Sequence, residues 1–217
     1  MKTFVIIGLG RFGSAVSEEL CRLGHQVLAI DTDEEAVQNM ADRVTRAVVA
    51  DCTDKSVLRS LGVKNMDCAV VAFSEDIGTS ALITLNLKEL GIPRLICKAR
   101  DHSHKELLRR IGADEVVFPE NESGRKLARI LTNRDILTYI ELSERYGIVK
   151  VKVPDSWLGK SLRSLDVRAR YQVNVIAIQS SDGSIQTVPQ PDYVFRTGDL
   201  VFNLGEDRAN DRVIALV

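Results

Sequence analysis

Three glycines and one acid carry the first chemical signal in this chain. Gly8-Leu9-Gly10-Arg11-Phe12-Gly13 has the GxGxxG spacing and stands between the apolar run Phe4–Ile7 and a segment with helical periodicity. In that setting Gly8 permits a tight turn, Gly10 lets a diphosphate approach the main chain, and Gly13 allows the helix to pack closely on the strand. The free N–H groups at the helix start, with the positive end of its dipole, then face phosphate. Asp31 comes 18 residues after Gly13, close to the ~20 at which an acid takes ribose hydroxyls and disfavours NADP by repelling its 2′-phosphate. Asp33 reads as a second contact or as a helix cap, with the cap favoured. Arg11 sits inside the phosphate loop. There it can reach a third phosphate or a neighbouring subunit's ligand, or simply lie in solvent.

Further polar residues stand where other strands should end, which is where open α/β sheets collect ligands. They are Asp51, Cys52 and Thr53, then Ser74 with Glu75, then Lys98 and Arg100. Lys98 can neutralise phosphate, while Glu75 and Arg100 read equally as solvated loop charges. The remaining parts of a dehydrogenase are missing, since hydride transfer needs a proton donor or acceptor beside the acceptor carbon and a substrate domain. His25 precedes its strand on the side away from the ligand end. His102 and His104, two apart, do not share a helical face, so neither a metal pair nor a catalytic histidine is expected. Tyr146-x-x-x-Lys150 matches a reductase spacing but falls at the entry to a strand in the C-terminal part. No GxSxG, HExxH or Walker-type loop occurs. An NAD-dependent soluble oxidoreductase remains the alternative from a different functional class.

The elements that must position these residues are set by periodicity. Short Val/Ile-rich runs at Phe4–Ile7, Val27–Ile30, Ala47–Ala50, Cys68–Phe73, Leu95–Lys98 and Glu115–Phe118 alternate with helical patterns. Their unbroken apolar character suits a parallel sheet covered on both faces. Right-handed βαβ units then predict an α/β fold with a Rossmann-like, doubly wound sheet over residues 1–118. Residues 119–145 read as two crossover helices broken near Thr132-Asn133, with Asn133 as a cap. The second helix, with Ile136, Leu137, Tyr139, Ile140 and Leu142, is apolar over more than half its circumference. That demands cover on two sides, either between two lobes or against another subunit. Residues 146–217 read as a small α+β lobe, with strands at Val149–Val153, Val173–Ile178, Ile185–Val188 and Leu200–Leu204 and a hairpin turn at Ser181–Ser184.

Composition narrows the classes. Among 217 residues, 29 Lys and Arg oppose 30 Asp and Glu, so no excess of positive charge argues for nucleic acid. No apolar run approaches the ~20 residues of a spanning helix, and the N-terminus reads as a strand rather than a signal peptide. Four scattered cysteines without a CxxC suggest neither a disulfide frame nor zinc. A soluble cytosolic protein is expected, with any membrane role reached through a partner.

Taken together, these motifs resemble the RCK (KTN) family, the cytosolic regulatory subunits and domains of bacterial potassium transporters and channels, and within it the KtrA/TrkA-type gating subunit. The resemblance rests on Ile7–Gly13, Ala29-Ile30-Asp31, Ala50–Thr53, Lys98-Ala99-Arg100, Ile111–Asp114 with Pro119-Glu120, Leu158–Leu162, and Pro191-Asp192 with Gly198–Val201. The Ala50 and Cys52 substitutions depart from the commoner Gly-Asp-Ala-Thr. The resemblance implies a non-enzymatic regulator binding ATP/ADP or NAD(H) at the glycine loop, a homodimer assembling into an octameric ring, and a membrane potassium-translocating partner at the inner face of the cell membrane. It implies that Arg11 meets a γ-phosphate across the dimer and that Glu120 binds an interfacial cation, divalent or monovalent. In some members the C-terminal lobe binds cyclic di-AMP, and no residue here decides that.

Overall fold

A computed structural model describes residues 1–132, 135–143 and 145–217. The chain divides into two compact units, Met1–Pro119 and Glu120–Val217. The first alternates strand and helix throughout: β1 (Thr3–Ile7), α1 (Arg11–Arg22), β2 (Gln26–Asp31), α2 (Glu34–Met40), β3 (Arg46–Val49), α3 (Lys55–Ser60), β4 (Cys68–Val71), α4 (Ile77–Glu89), β5 (Leu95–Lys98), α5 (His102–Ile111) and β6 (Glu115–Val117). The six strands are all parallel, in the order β3-β2-β1-β4-β5-β6. This is the doubly wound arrangement expected from the sequence, and its switch point lies between β1 and β4. Alternate residues of the central strands face opposite sides, and both sides are buried. Val5, Ile7, Leu28 and Ile30 join one core, while Ile6, Val27, Ala29 and Val70 join the other. Helices on both faces are what allow runs such as Cys68–Val71 to be apolar at every position.

The second unit contains α6 (Pro119–Thr132), β7 (Ile136–Glu141), β8 (Tyr146–Lys152), α7 (Leu162–Leu165), α8 (Val167–Tyr171), β9 (Val173–Gln179), β10 (Ile185–Gln186), β11 (Leu200–Glu206) and α9 (Asp207–Ile214). Among the described residues its five strands form an antiparallel sheet in the order β10-β9-β11-β8-β7. Trp157, Phe195, Val201 and Val213 lie at the centre of its core. Among the described residues, no helix is long and apolar enough to cross a membrane.

One expectation is overturned here. The second crossover helix is instead the strand β7, paired antiparallel with β8 through a register shift between Ile136 and Thr138. Ile136 and Tyr139 turn into the core, while Leu137 and Ile140 remain 43% and 48% exposed. A short run rich in β-branched and aromatic residues has two readings, and cross-strand pairing decided between them. The apolar width that called for two-sided cover is thus the two faces of an edge strand. The crossover contributes a single described helix, α6, and the suggested Asn133 cap lies outside the described residues. The strand expected at Ile185–Val188 is also shorter, reduced to the two residues of β10.

Candidate functional site

The glycine loop joins β1 to α1, and its geometry separates the three glycines. Gly8 has φ +98°, a left-handed conformation that favours glycine, and a Cβ there would come within 3.0 Å of Phe73. A Cβ on Gly13 would lie 1.8 Å from the Gly8 carbonyl oxygen, so α1 can approach β1 only through a glycine. Gly10 is different. It takes an ordinary extended conformation as the N-cap of α1, and a Cβ would meet nothing within 4 Å. The chain itself demands glycine at Gly8 and Gly13. At Gly10 the open space faces outward from the helix start.

Beside this loop lies a cavity of about 410 Å³, lined by Gly8, Leu9, Gly10, Asp31, Thr32, Asp33, Asp51, Cys52, Phe73, Glu75 and Thr79 among others. The ends of β2, β3 and β4 form its walls. Asp31 accepts hydrogen bonds from the Leu9 N–H (2.5 Å) and the Asp33 N–H (3.0 Å). It thereby ties the end of β2 to the glycine loop. A carboxylate offers about four lone-pair positions, so Asp31 retains acceptor capacity toward the cavity. Asp33 caps α2 by accepting from the Glu35 N–H at 2.9 Å. Asp51 accepts from both the Oγ1 and the main-chain N–H of Thr53, and these bonds hold its carboxyl below the usual range. The Cys52 thiol is 3% exposed, and burial, reinforced by the charges of Asp51 and Asp31, pushes it up to about 12. It packs as a neutral apolar group.

The other residues singled out from the sequence stand apart from the cavity walls. Thr53 donates to Asp51, and its carbonyl accepts from the Asn86 amide. Ser74 is buried, and its neighbour Glu75 faces the cavity in its place. The Lys98 ammonium lies 5.9 Å from the centroid of the Phe12 ring, which places a cation beside the first turn of α1. Arg100 donates from Nη1 to the Glu75 carbonyl (3.3 Å) and pairs with Asp101 (3.2 Å). Arg11 is exposed at the start of α1 and makes no hydrogen bond or ion pair among the described residues. Glu120 is exposed in the first turn of α6, where the helix dipole favours a carboxylate. Sequence reasoning did not single out Phe73 and Thr79. They line the cavity only because β4 and α4 fold beside β1, which their residue types do not announce.

A smaller cavity of about 320 Å³ lies in the second unit, lined by Arg163, Asp166, Arg168 and Asn174 among others. No group of three or more histidine, cysteine, aspartate or glutamate side chains converges on a metal position among the described residues.

Comparison with known proteins adds identity to this geometry. The family models described as TrkA-N domain and TrkA-C domain match residues 4–119 and 147–216. The chain is 40% identical over 207 residues to Ktr system potassium uptake protein A of Bacillus subtilis (strain 168), covering 95% of this chain and 93% of that protein. To the protein of the same name from Vibrio alginolyticus it is 32% identical over 216 residues, covering 99% and 98%. Among solved structures, the GsuK channel bound to NAD aligns with a TM-score of 0.58 at 25% identity, over 99% of this chain and 39% of that one. This chain therefore spans well under half of that channel. A six-stranded parallel sheet with a glycine loop, a small antiparallel lobe, and matches through both place the chain in the RCK family of TrkA-N/TrkA-C potassium-transport proteins.

Proposed function

We propose that this chain is a nucleotide-sensing gating subunit of a membrane potassium-translocating protein. The observation that carries this reading is the 40% identity to a Ktr system potassium uptake protein through 95% of the chain. Nucleotide binding is supported by the cavity beside the glycine loop and by the related channel solved with NAD. The candidate ligands are ATP/ADP and NAD(H). In this reading the N–H groups opening α1 take the phosphates, the open face of Gly10 admits them, and the free acceptor positions of Asp31 take ribose hydroxyls. The protein does no chemistry on the nucleotide. A ligand that binds two conformations unequally shifts their populations, and only that difference can move a partner. The moving body is a homodimer assembled into an octameric ring, held at the inner face of the membrane by its partner.

Two further sites belong to the proposal. Glu120 meets its symmetry mate near a two-fold axis, where two carboxylates repel unless a cation sits between them. The C-terminal cavity, with Arg163 and Arg168 on its wall, has the charge to take the phosphates of cyclic di-AMP.

The deciding experiment is potassium flux through the translocating subunit in vesicles, with and without this chain and each nucleotide. Flux that depends on both supports the reading, and flux indifferent to nucleotide overturns it. Steady turnover of NADH with a panel of carbonyl compounds would replace it with an oxidoreductase.

A further inference from the structure

The carboxylates on the wall of the large cavity are not equivalent. Asp31 accepts from Leu9 and Asp33, Asp33 from Glu35, and Asp51 from Thr53. Each is already engaged by its own chain. Glu75 is the exception: its carboxylate makes no hydrogen bond or ion pair among the described residues, yet it lines the cavity. Its position is nonetheless well determined. The Arg100 guanidinium holds the Glu75 carbonyl from the end of β5. Asp76, next in the chain, caps α4 by accepting from the Gly78 and Thr79 N–H groups and the Thr79 hydroxyl.

Topology gives this free carboxylate its meaning. β2 and β4 flank β1 on opposite sides, so Asp31 and Glu75 stand on opposite sides of the glycine loop. The strands that lead to them lie about two strand spacings apart, ~10 Å. A diphosphate at the start of α1, with its first ribose toward Asp31, directs its second phosphate toward the end of β4. Beyond that phosphate the candidate ligands differ. ADP places nothing there, ATP a third phosphate, and a dinucleotide a second ribose. A carboxylate repels the phosphate and accepts hydrogen bonds from the hydroxyls of the ribose.

We infer that Glu75 is the specificity-determining residue of the nucleotide site, favouring a dinucleotide and disfavouring a triphosphate. The inference rests on the nucleotide reading of the cavity. Arg11 pulls the other way, because its guanidinium favours the third phosphate.

The test is calorimetric titration of the full-length protein with NADH, ADP and ATP in EDTA at low salt. Glu75→Gln should bind ATP roughly three- to tenfold more tightly, with ADP little changed and NADH weakened. Glu75→Lys should go further in the same direction, and Arg11→Ala should weaken ATP selectively. Glu75→Gln affinities that leave the ATP-to-NADH ratio unchanged would overturn the inference while keeping the nucleotide site. Wild type that binds none of the three would remove the site itself, and this inference with it.

Discussion

Single atoms separate the glycines of the GxGxxG loop into two that the fold requires and one that it does not. Gly13→Ala would drive a methyl group into the Gly8 carbonyl oxygen, at 1.8 Å before relaxation. Parting α1 from β1 to relieve that contact should cost about 1–3 kcal/mol, seen as a lower midpoint in urea. Gly10→Ala meets no neighbour, so only the poorer helix cap, about 1 kcal/mol, should register in the fold. Its larger effect should be lost nucleotide affinity. Equal loss of stability in the two variants would contradict the geometry. The tight turn at Gly8 and the close packing at Gly13 were legible in the GxGxxG spacing. The acids were legible only in part: the cap favoured for Asp33 is the one it makes with Glu35, whereas the bonds of Asp51 to Thr53 depend on where main-chain N–H groups point.

At the scale of elements, side chains tie strand ends to their neighbours. Asp114, just before β6, accepts from the Lys88 ammonium of α4 (3.0 Å) and the Leu95 N–H opening β5 (2.7 Å). Those bonds hold its carboxyl below the ordinary range, the Lys88 contact most strongly. A carboxyl depressed on folding stabilises the fold above its unfolded value, near ~3.9, and loses that contribution as pH falls through the lowered value. Asp114→Asn should therefore be less stable than wild type at neutral pH, with the gap closing in acid. Urea midpoints followed from pH 7 downward would show it, and a constant gap would deny the linkage. In the second unit, Gly147 on β8 exists for Tyr139, whose ring would lie 2.5 Å from an added Cβ. The Tyr139 hydroxyl donates to Asp207 at 3.0 Å, and Arg129 of α6 lies over the ring and pairs with the same carboxylate. This clamp fixes one residue of a segment that looked like a helix from its apolar count. Strand pairing and one ring explain why Ile136–Glu141 is a strand rather than the expected helix.

At the scale of the molecule, two units with separate cores should unfold as two thermal transitions in calorimetry. Nucleotide at 100 times its Kd adds about 2.7 kcal/mol to the unit that binds it, so one transition should rise by roughly 10 °C. The other should stay in place. Adding Mg²⁺ or Ca²⁺ with the nucleotide should raise the melt further in wild type and not in Glu120→Gln. An equal rise in both would overturn the cation role proposed for Glu120.

The doubly wound sheet, the glycine loop at its switch point and the acid ending β2 could all be read from residue order alone. Each of these is written in local periodicity and short spacing. Unbroken apolar runs announce strands covered on both faces, and GxGxxG announces a turn that few other residues can make. Tertiary structure alone decided that Ile136–Glu141 is a strand, that Cys52 is a buried neutral thiol, and that Glu75 rather than Ser74 faces the cavity. The reason is common to all three. A short apolar run, a thiol and a loop carboxylate each suit more than one environment, and their roles are set by the neighbours that folding brings to them. β8 supplies the hydrogen bonds that make β7, the core of the first unit surrounds Cys52, and Arg100 and Asp76 hold the turn that presents Glu75.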